Sequence, residues 1–385
     1  MSQVVMESAT EAPTGSEEEK EERCWSNLQV DILSMIKSHL FGADRICFHA
    51  VCQSWNSVPS QVRWLPSPAR QPSEVTQFPT LVFSGRNTSV CKFFNPLLNK
   101  THSIIFPELA NAQIRFSKGG WLLVTQGNSK IFFFNPFTKE KINLPDLPIK
   151  EHKFTEISFS SLPTAPDCVV LAISILYLNV LKFSCIRRGE SCWKTFEECS
   201  DTNVYMPCYS NPVFFDGAFH CLSEKRGSLS IFDPTNDEDF WIELKELEKP
   251  IRKPVDQCYL TECDGELMAV YEGHLGGTID VFKLDKSAMI WKRVNNLGNM
   301  ALFLSPRASI SAPPIRGVAS KMENKVYFPR FKGEDGVFYS LSTGKFHSFD
   351  LGYTAENFIG TKQQMHCAWI EPSFEKHSIE DLLWC

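Results

Sequence analysis

CKFFNPLLNKTHSI, from Cys91 to Ile104, is followed by IFFFNPFTKEKINLP, from Ile131 to Pro145, with the two Phe-Phe-Asn-Pro phrases forty residues apart. In each copy an apolar run stops at Asn-Pro, a short polar turn follows, and apolar residues resume at Ile104-Ile105-Phe106 or at Ile142 to Leu144. Proline has no amide hydrogen to give a sheet ladder and fixes φ, while the residue before it is held extended or in a turn. Each copy therefore reads as strand, turn and return strand, a β-hairpin.

Weaker versions recur along the chain. They are Lys182-Phe183-Ser184-Cys185 before SCWKTF, Ile231-Phe232-Asp233-Pro234 before FWIEL, Val281 to Asp285 before MIWKRV, and Val337 to Leu341 before GKFHSFDL. With the two strong copies they make six hairpins spaced by roughly 40 to 57 residues, the period of propeller blades of the kelch or WD type. Upstream strand pairs complete four strands per unit: GGWLLVTQ from Gly119, PVFFDGAFHCLS from Pro212, CDGELMAVYE from Cys263 and NKVYFPR from Asn324. Their Asp-Gly and Gly-Gly pairs fall where tight turns need positive φ. One such unit cannot bury both faces of its sheet, so radial stacking is the stable arrangement. The chain is predicted to be mainly β, with residues 80–373 forming a six-bladed β-propeller, or seven-bladed as the fallback. TLVFSG near Thr80 is expected to pair with CAWIEP near the end and close the ring. A β-sandwich would not explain hairpins that share a strand-ending phrase.

Composition fits this reading. Of 385 residues, 43% are hydrophobic and 22% charged, enough apolar material for a large core. The 39 basic residues against 45 acidic ones leave no excess of cations for a broad phosphate-binding surface, so nucleic acid is not an expected partner. Residues 1–23, with Glu17-Glu18-Glu19, read as a solvated acidic tail without the apolar core of a secretory signal. The most apolar run, Cys168 to Leu181, is too short to span a bilayer and suits a buried strand pair. Nucleus and/or cytoplasm is the expected location, where the fourteen cysteines would stay reduced. Cys185, Cys192 and Cys199 are spaced by seven, wider than the pairs zinc sites draw on, so neither metal nor cofactor is expected.

Ahead of the ring, residues 24–65 change character. Leu28, Ile32, Met35, Ile36 and Leu40 keep helical spacing behind a cap at Ser26 or Asn27. After Phe41-Gly42, Asp44 opens a second predicted helix with Phe48, Val51, Cys52 and Trp55 on one face, and Val62, Trp64 and Leu65 could add a short third turn. Val30 and Leu33 lie off the Leu28-Ile32 line, so apolar groups face two directions in a unit of about 40 residues, a marginal size for an independent core. Either the ring covers the second face or another polypeptide does. Residues 66–79, with PSPARQPSE, read as a semi-rigid proline-rich linker, and residues 374–385 as a C-terminal tail.

Trp25-Ser-x-Leu28-x-x-Asp31-Ile32-Leu33-x-x-Ile36, then Asp44 and Val51-Cys52-x-Ser54-Trp55, resembles an F-box, the helical module that docks substrate receptors on the Skp-type adaptor of cullin-based ubiquitin ligases. The rest is similar to the propeller-like domain of a large plant F-box family through GGWLLV, NPFTKEKINLPDLP, PDCVVLAI, VFFDGAFHCL, VFKLDKSAMIWKRVNNLGNMALFL and AWIEPS. The resemblance covers nearly all of Trp25 to Ser373. It implies a substrate-recognition subunit whose partners are a Skp-type adaptor, through it a cullin, and a protein substrate. It also implies that Leu28, Asp31, Ile32, Leu33, Ile36, Val51 and Trp55 dock the adaptor, some of them instead holding the helices together, with Phe48 and Cys52 internal. Family F-boxes usually carry proline directly after the first leucine, where this chain has Gln29, so helix initiation should be modestly weaker.

The alternatives are a propeller binding module or small-molecule receptor acting outside a ligase, and a propeller enzyme. No G-x-S-x-G element and no P-loop ending in Gly-Lys-Ser or Gly-Lys-Thr occurs, and Gly273 to Gly277 lacks the lysine a phosphate needs. A non-catalytic subunit is the expectation. Substrate contacts would come from loops at one end of the ring, with the segments around Lys150 to Thr155, Arg187 to Glu190, Tyr205 to Tyr209 and Ser305 to Arg316 as candidates.

Overall fold

The computed structural model describes residues 25–38, 40, 42–58, 78–85, 88–148, 154–177, 180–199, 210–223, 229–244, 247, 250, 255–274, 277–313, 322–349 and 360–385. The acidic tail, residues 66–77 of the proline-rich linker, Val62 to Leu65 and Tyr205 to Tyr209 lie outside them, as does most of Lys150 to Thr155, while Phe78 at the linker's end is buried in the ring.

Six sheets succeed one another along the chain, one per predicted hairpin. Blade 1 holds β1 (Thr80–Ser84), β2 (Val90–Asn95) and β3 (Lys100–Ile105). Blade 2 holds β4 (Ala112–Lys118), β5 (Trp121–Gln126), β6 (Lys130–Phe134) and β7 (Lys141–Asn143). Blade 3 holds β8 (Phe154–Phe159), β9 (Val169–Tyr177), β10 (Val180–Arg187) and β11 (Lys194–Cys199). Blade 4 holds β12 (Val213–Phe215), β13 (Ala218–Leu222), β14 (Leu229–Phe232) and β15 (Trp241–Leu244). Blade 5 holds β16 (Val255–Cys263), β17 (Glu266–Gly273), β18 (Ile279–Asp285) and β19 (Ile290–Val294). Blade 6 is built from β20 (Ala301–Phe303), β21 (Ile310–Ala312), β22 (Lys325–Lys332), β23 (Asp335–Ser340), β24 (Lys345–Ser348) and β25 (Lys362–Gln363). The last strand, β26 (Cys367–Ile370), joins blade 1. The architecture is a six-bladed β-propeller, and the seven-bladed fallback is not needed.

The repeated phrase is an Asx turn as well as a proline stop. Asn95 Oδ1 accepts the amide hydrogens of Leu97 at 2.8 Å and Leu98 at 3.4 Å, and Asn135 Oδ1 those of Phe137 at 2.8 Å and Thr138 at 3.2 Å. Asp233 and Asp285 repeat this in blades 4 and 5. The short acceptor on the side chain satisfies amides that leave the ladder together, which is why Asn or Asp ends the third strand of four blades. Asn99, Lys139, Met289 and Gly344, the fourth residues after Asn95, Asn135, Asp285 and Ser340, have positive φ of 50°, 63°, 51° and 65°. The tight turns read from Asp-Gly also hold, with φ of 51° and 83° at Asp216-Gly217 and 53° and 75° at Asp264-Gly265.

Blade 6 departs from the four-strand pattern. On the inner edge of β22, β20 runs parallel, Ala301 to Phe303 against Lys325 to Tyr327, and β25 then runs antiparallel against Arg330 and Phe331. Pro329 lies between these two partners, where the β22 register shifts. Closure follows the expectation: β26 pairs antiparallel with β1, Leu81 opposite Trp369 and Val82 opposite Ala368. A continuous apolar cluster joins blades 1, 2 and 3, among it Phe93, Phe106, Trp121, Phe133, Phe134 and Phe159.

Residues 374–385 are docked rather than free. Trp384 is buried against Phe133, the Trp384 carbonyl accepts the Gly189 amide at 2.8 Å, and His377 Nδ1 meets Glu140 Oε2 at 3.0 Å. The approach at Ser373 is so close that a Cβ on Gly120, whose φ is +85°, would sit 2.3 Å from the Ser373 Cβ. The predicted tail is thus a brace across blades 2 and 3, built on aromatic contacts with no strand periodicity.

Burial in blade 4 makes one pH dependence. His220 in β13 is buried, with Nδ1 3.2 Å from the Ala218 carbonyl, and burial lowers its pKa below the ordinary 6.5, with Lys286 adding to the effect and Asp216 opposing it. The unfolded chain then takes up more protons as pH falls through 6.5, so this contribution is complete above 6.5 and is lost on acidification. Melting curves between about pH 7 and about pH 5 should fall less steeply for His220→Gln than for the parent. Parallel curves would remove His220 as the cause.

Candidate functional site

A 3-10 turn, Trp25–Asn27, leads into α1 (Val30–Ser38), α2 (Gly42–Ala50) and α3 (Gln53–Asn56). Helix α1 starts without the family's proline: the Gln29 carbonyl accepts the Leu33 amide at 3.0 Å, Asp31 lies in the first turn and Lys37 in the last, charges that suit the two ends of the helix dipole.

The predicted second helix does not run on to Trp55. It ends at Ala50, Cys52 is extended at φ −164°, and α3 begins after it. The packing of Phe48 on Trp55 accounts for the break. Seven residues along one helix would separate them by about 10 Å of rise, whereas the break brings their ring centroids to 4.7 Å. Trp55 Nε1 then donates to the Trp25 carbonyl at 3.0 Å and Ser54 Oγ to the Ser26 carbonyl at 2.9 Å, tying α3 to the start of the module. Cys52 is half-buried rather than fully internal, and the hydrogen bond with Ser54 Oγ lowers its thiol pKa.

Leu33, Phe48 and Val58 form the small core, with Leu28, Ile36, Leu40 and Trp55 packed around it. Leu33, one of the residues the resemblance names for docking, is 1% exposed and is the centre of that core, so it does not present a face to a partner. Lys37 is buried too, its Nζ donating to the Val58 carbonyl at 2.7 Å. Leu28, Ile36 and Trp55 are half-buried, each with one side on the core. Asp31, Ile32 and Val51 stand outside it.

Helix α2 is buried on two opposite sides. Ile46 and Phe48 are two residues apart, about 200° around a helix. Phe48 therefore fills the module while Ile46, 2% exposed, enters the apolar cluster of blades 1 to 3, where α2 meets β2 and β3. Asp44 Oδ1 lies 3.3 Å from His102 Nε2 beside this contact. The ring thus covers one side of the module through α2 and leaves α1 outward. On α1 and the adjoining bends, Val30 is 56% exposed, Ile32 42%, Met35 64%, Val51 54% and Trp25 71%, five large apolar side chains facing solvent within one short helical module. Ile32 and Met35, three apart, are neighbours on one helical face with Asp31 beside them.

The ring supplies no comparable constellation. Of the loop candidates, Arg187 and Arg188 donate to the carbonyls of Pro234, Pro163 and Asp381, which makes them braces between chain segments. Ser305 Oγ accepts the Ala308 amide and donates to its carbonyl, closing the 305–309 loop on itself. Among the described residues no group of three or more His, Cys, Asp or Glu side chains could hold a metal ion, and the described cysteines are free thiols. No helix of the described residues is long and apolar enough to cross a membrane.

The family model described as KIB1-4 beta-propeller matches residues 93–354. An F-box/kelch-repeat protein of Arabidopsis thaliana is 28% identical over 364 residues, 90% of this chain and 94% of the relative, a share that reaches beyond the ring into the helical module. A second F-box/kelch-repeat protein of that plant is 30% identical over 293 residues, 74% of each chain, and an F-box protein is 27% identical over 297 residues, 76% of each. A family model that spans most of the ring, one relative aligned over 90% of the chain and another 30% identical over 74% of it establish that this chain belongs to the plant F-box proteins with a KIB1-4 β-propeller.

Proposed function

We propose that the chain is the substrate-recognition subunit of a Skp-cullin-F-box ubiquitin ligase and is not itself a catalyst. The observation that carries this reading is the two-sided module: Ile46 fixes α2 on the ring, while Val30, Ile32, Met35 and Val51 leave large apolar side chains on solvent, Ile32 and Met35 on one face of α1. An exposed apolar group of this kind on a unit of three short helices is the signature of a surface completed by another polypeptide. Asp31, Ile32 and Val51 would dock the Skp-type adaptor directly, Leu28, Ile36 and Trp55 through their outward sides, and Leu33 would support them from within.

In this scheme the adaptor brings the cullin, the propeller holds a protein substrate, and ubiquitin moves to substrate lysines on other subunits. The gain is proximity, because tethering converts a dilute encounter into one at high effective concentration. Direct seating of α2 on blade 1 fixes the angle between adaptor and ring, so the presentation of substrate does not depend on the linker alone. The nucleus and/or cytoplasm is the setting in which this complex would act. Affinity purification of the full chain from plant cells should recover a Skp-type adaptor and a cullin together. Recovery of the intact protein without either would overturn the proposal.

A further inference from the structure

Helix α2 belongs to two cores at once. Phe48 shares one with Leu33 and Val58 of the module, whereas Ile46 enters the cluster that holds Cys91 and Phe93 of β2 and has Ile104 of β3 packed against it. Asp44, on the same helix, brings its Oδ1 to 3.3 Å from His102 Nε2 of β3. Cys47, between Ile46 and Phe48, is exposed, so the two burials are separate contacts on opposite flanks of one helix.

The module has little else to fold on. Helices α1 and α2 have nine residues each, below the length at which isolated helices hold in water. Among the described residues its fully buried apolar core is Leu33, Phe48 and Val58, and Gln29 stands where the family's proline would start α1. A unit of about 40 residues with so small a core is marginal by itself. Ile46, 2% exposed, adds a buried aliphatic side chain whose partners lie outside the module, and that burial is available only while α2 is formed and seated. Phe48 then stands ready for Leu33, and Leu33 turned inward leaves Ile32 and Met35 of α1 on solvent.

We propose that blade 1 is the folding template of the helical module, and that Ile46 is a positioning residue for adaptor docking although it is buried against the ring. The seat keeps α1 and α2 in the docking-competent arrangement before any adaptor arrives. This rests on adaptor docking as the role of the module and adds the step that prepares it. A partner that selects one arrangement binds with an affinity scaled by the fraction of molecules already in it, so part of the adaptor affinity is set by the ring.

The test compares the purified full chain with Ile46→Ala and Ile46→Val by two measurements. Hydrogen exchange of the free chain reads how much of the module is folded with no adaptor present, and surface-immobilised Skp-type adaptor reads association and dissociation rates. Ile46→Ala should speed exchange of the α1 and α2 amides by about thirtyfold or more, while the amides of blades 3 to 5 stay protected. Adaptor affinity should fall by about tenfold, chiefly through slower association, because the surface that meets the adaptor is intact once formed. Loss of a direct contact would instead quicken dissociation. Ile46→Val removes one methylene and should shift both readouts the same way by only a few-fold, which keeps the comparison should the alanine variant not fold. Parental exchange of α1 and α2 in the substituted chains overturns the proposal, as does faster exchange with parental association. Failure of the ligase reading looks different: the parent itself takes no adaptor, although its α1 and α2 amides are protected and Ile46→Ala exposes them.

Discussion

Ile32→Asp should abolish adaptor capture and leave the melting of the ring unchanged. Ile32 is 42% exposed on α1 and lies outside the module's core, so the new carboxylate is solvated in the free protein. In the docked complex the same carboxylate would be buried against apolar surface, and a central anchor replaced by an unpaired charge costs 2 kcal/mol or more, about a thirtyfold loss of affinity or greater. Leu33→Ala gives the contrast. Leu33 is 1% exposed, and truncating a buried leucine costs about 2–5 kcal/mol, comparable with the whole stability of so small a unit. Binding would then be lost because α1 and α2 come apart, and hydrogen exchange would show their amides deprotected, which Ile32→Asp would not cause. A folded Ile32→Asp chain that still captures the adaptor at parental affinity would remove α1 from the docking face.

The ring was legible in the sequence because its signal is repeated. Phe-Phe-Asn-Pro at Phe93 and Phe133 marks a strand end by chemistry that every blade needs, and β1 pairs with β26 as ring closure demands. Other features were hidden where the physical requirement is met by an uncharacteristic residue. The left-handed position after the strand end is taken by Asn99, Lys139 and Met289, with glycine at Gly344 alone of the four, so residue type does not announce it. The parallel placement of β20 depends on which free edge is available on β22, a tertiary circumstance that three residues of β20 cannot encode. Asn211 reads as an ordinary loop asparagine before a proline, and only the ring brings Arg115 and Arg307 within its reach.

In the helical module the period of the apolar residues was right and its continuity was not. Phe48, Val51, Cys52 and Trp55 keep helical spacing, but direct contact between the Phe48 and Trp55 rings is available only when the helix breaks between them. Spacing also assigned Leu33 to the outer set with Val30, while the structure turns Leu33 inward and Val30 outward. Helical periodicity gives the angle between two side chains and leaves open which of them meets the core.

Trp369→Ala should lower the stability of the whole molecule by about 3–5 kcal/mol, because the tryptophan is both a core side chain and the fastening of the ring. It is 1% exposed in β26, opposite Leu81 of blade 1. Its Nε1 donates to the Leu304 carbonyl at 2.9 Å, its ring stands edge to face with Phe303 at 5.0 Å in blade 6, and its carbonyl accepts from Ser117 Oγ of blade 2. Blades 1 and 6 therefore lose contacts at once and the Leu304 carbonyl is left without its donor, while the Ser117 hydrogen bond, made to the main chain, remains. At about 2 °C or more per kcal/mol for a domain of this size, the melting temperature should fall by about 8 °C. Trp369→Phe keeps most of the volume and removes the indole N–H, so its smaller loss, about 1–2 kcal/mol, reports the hydrogen bond with the residual misfit. An alanine variant within about 1 kcal/mol of the parent would show that the seam contributes little and that the blades cohere through their remaining interfaces. A large loss has a further consequence: with the fastening weakened, β1 and β22 gain open inner edges, and unfolding should quicken by more than refolding slows if closure is completed after the transition state.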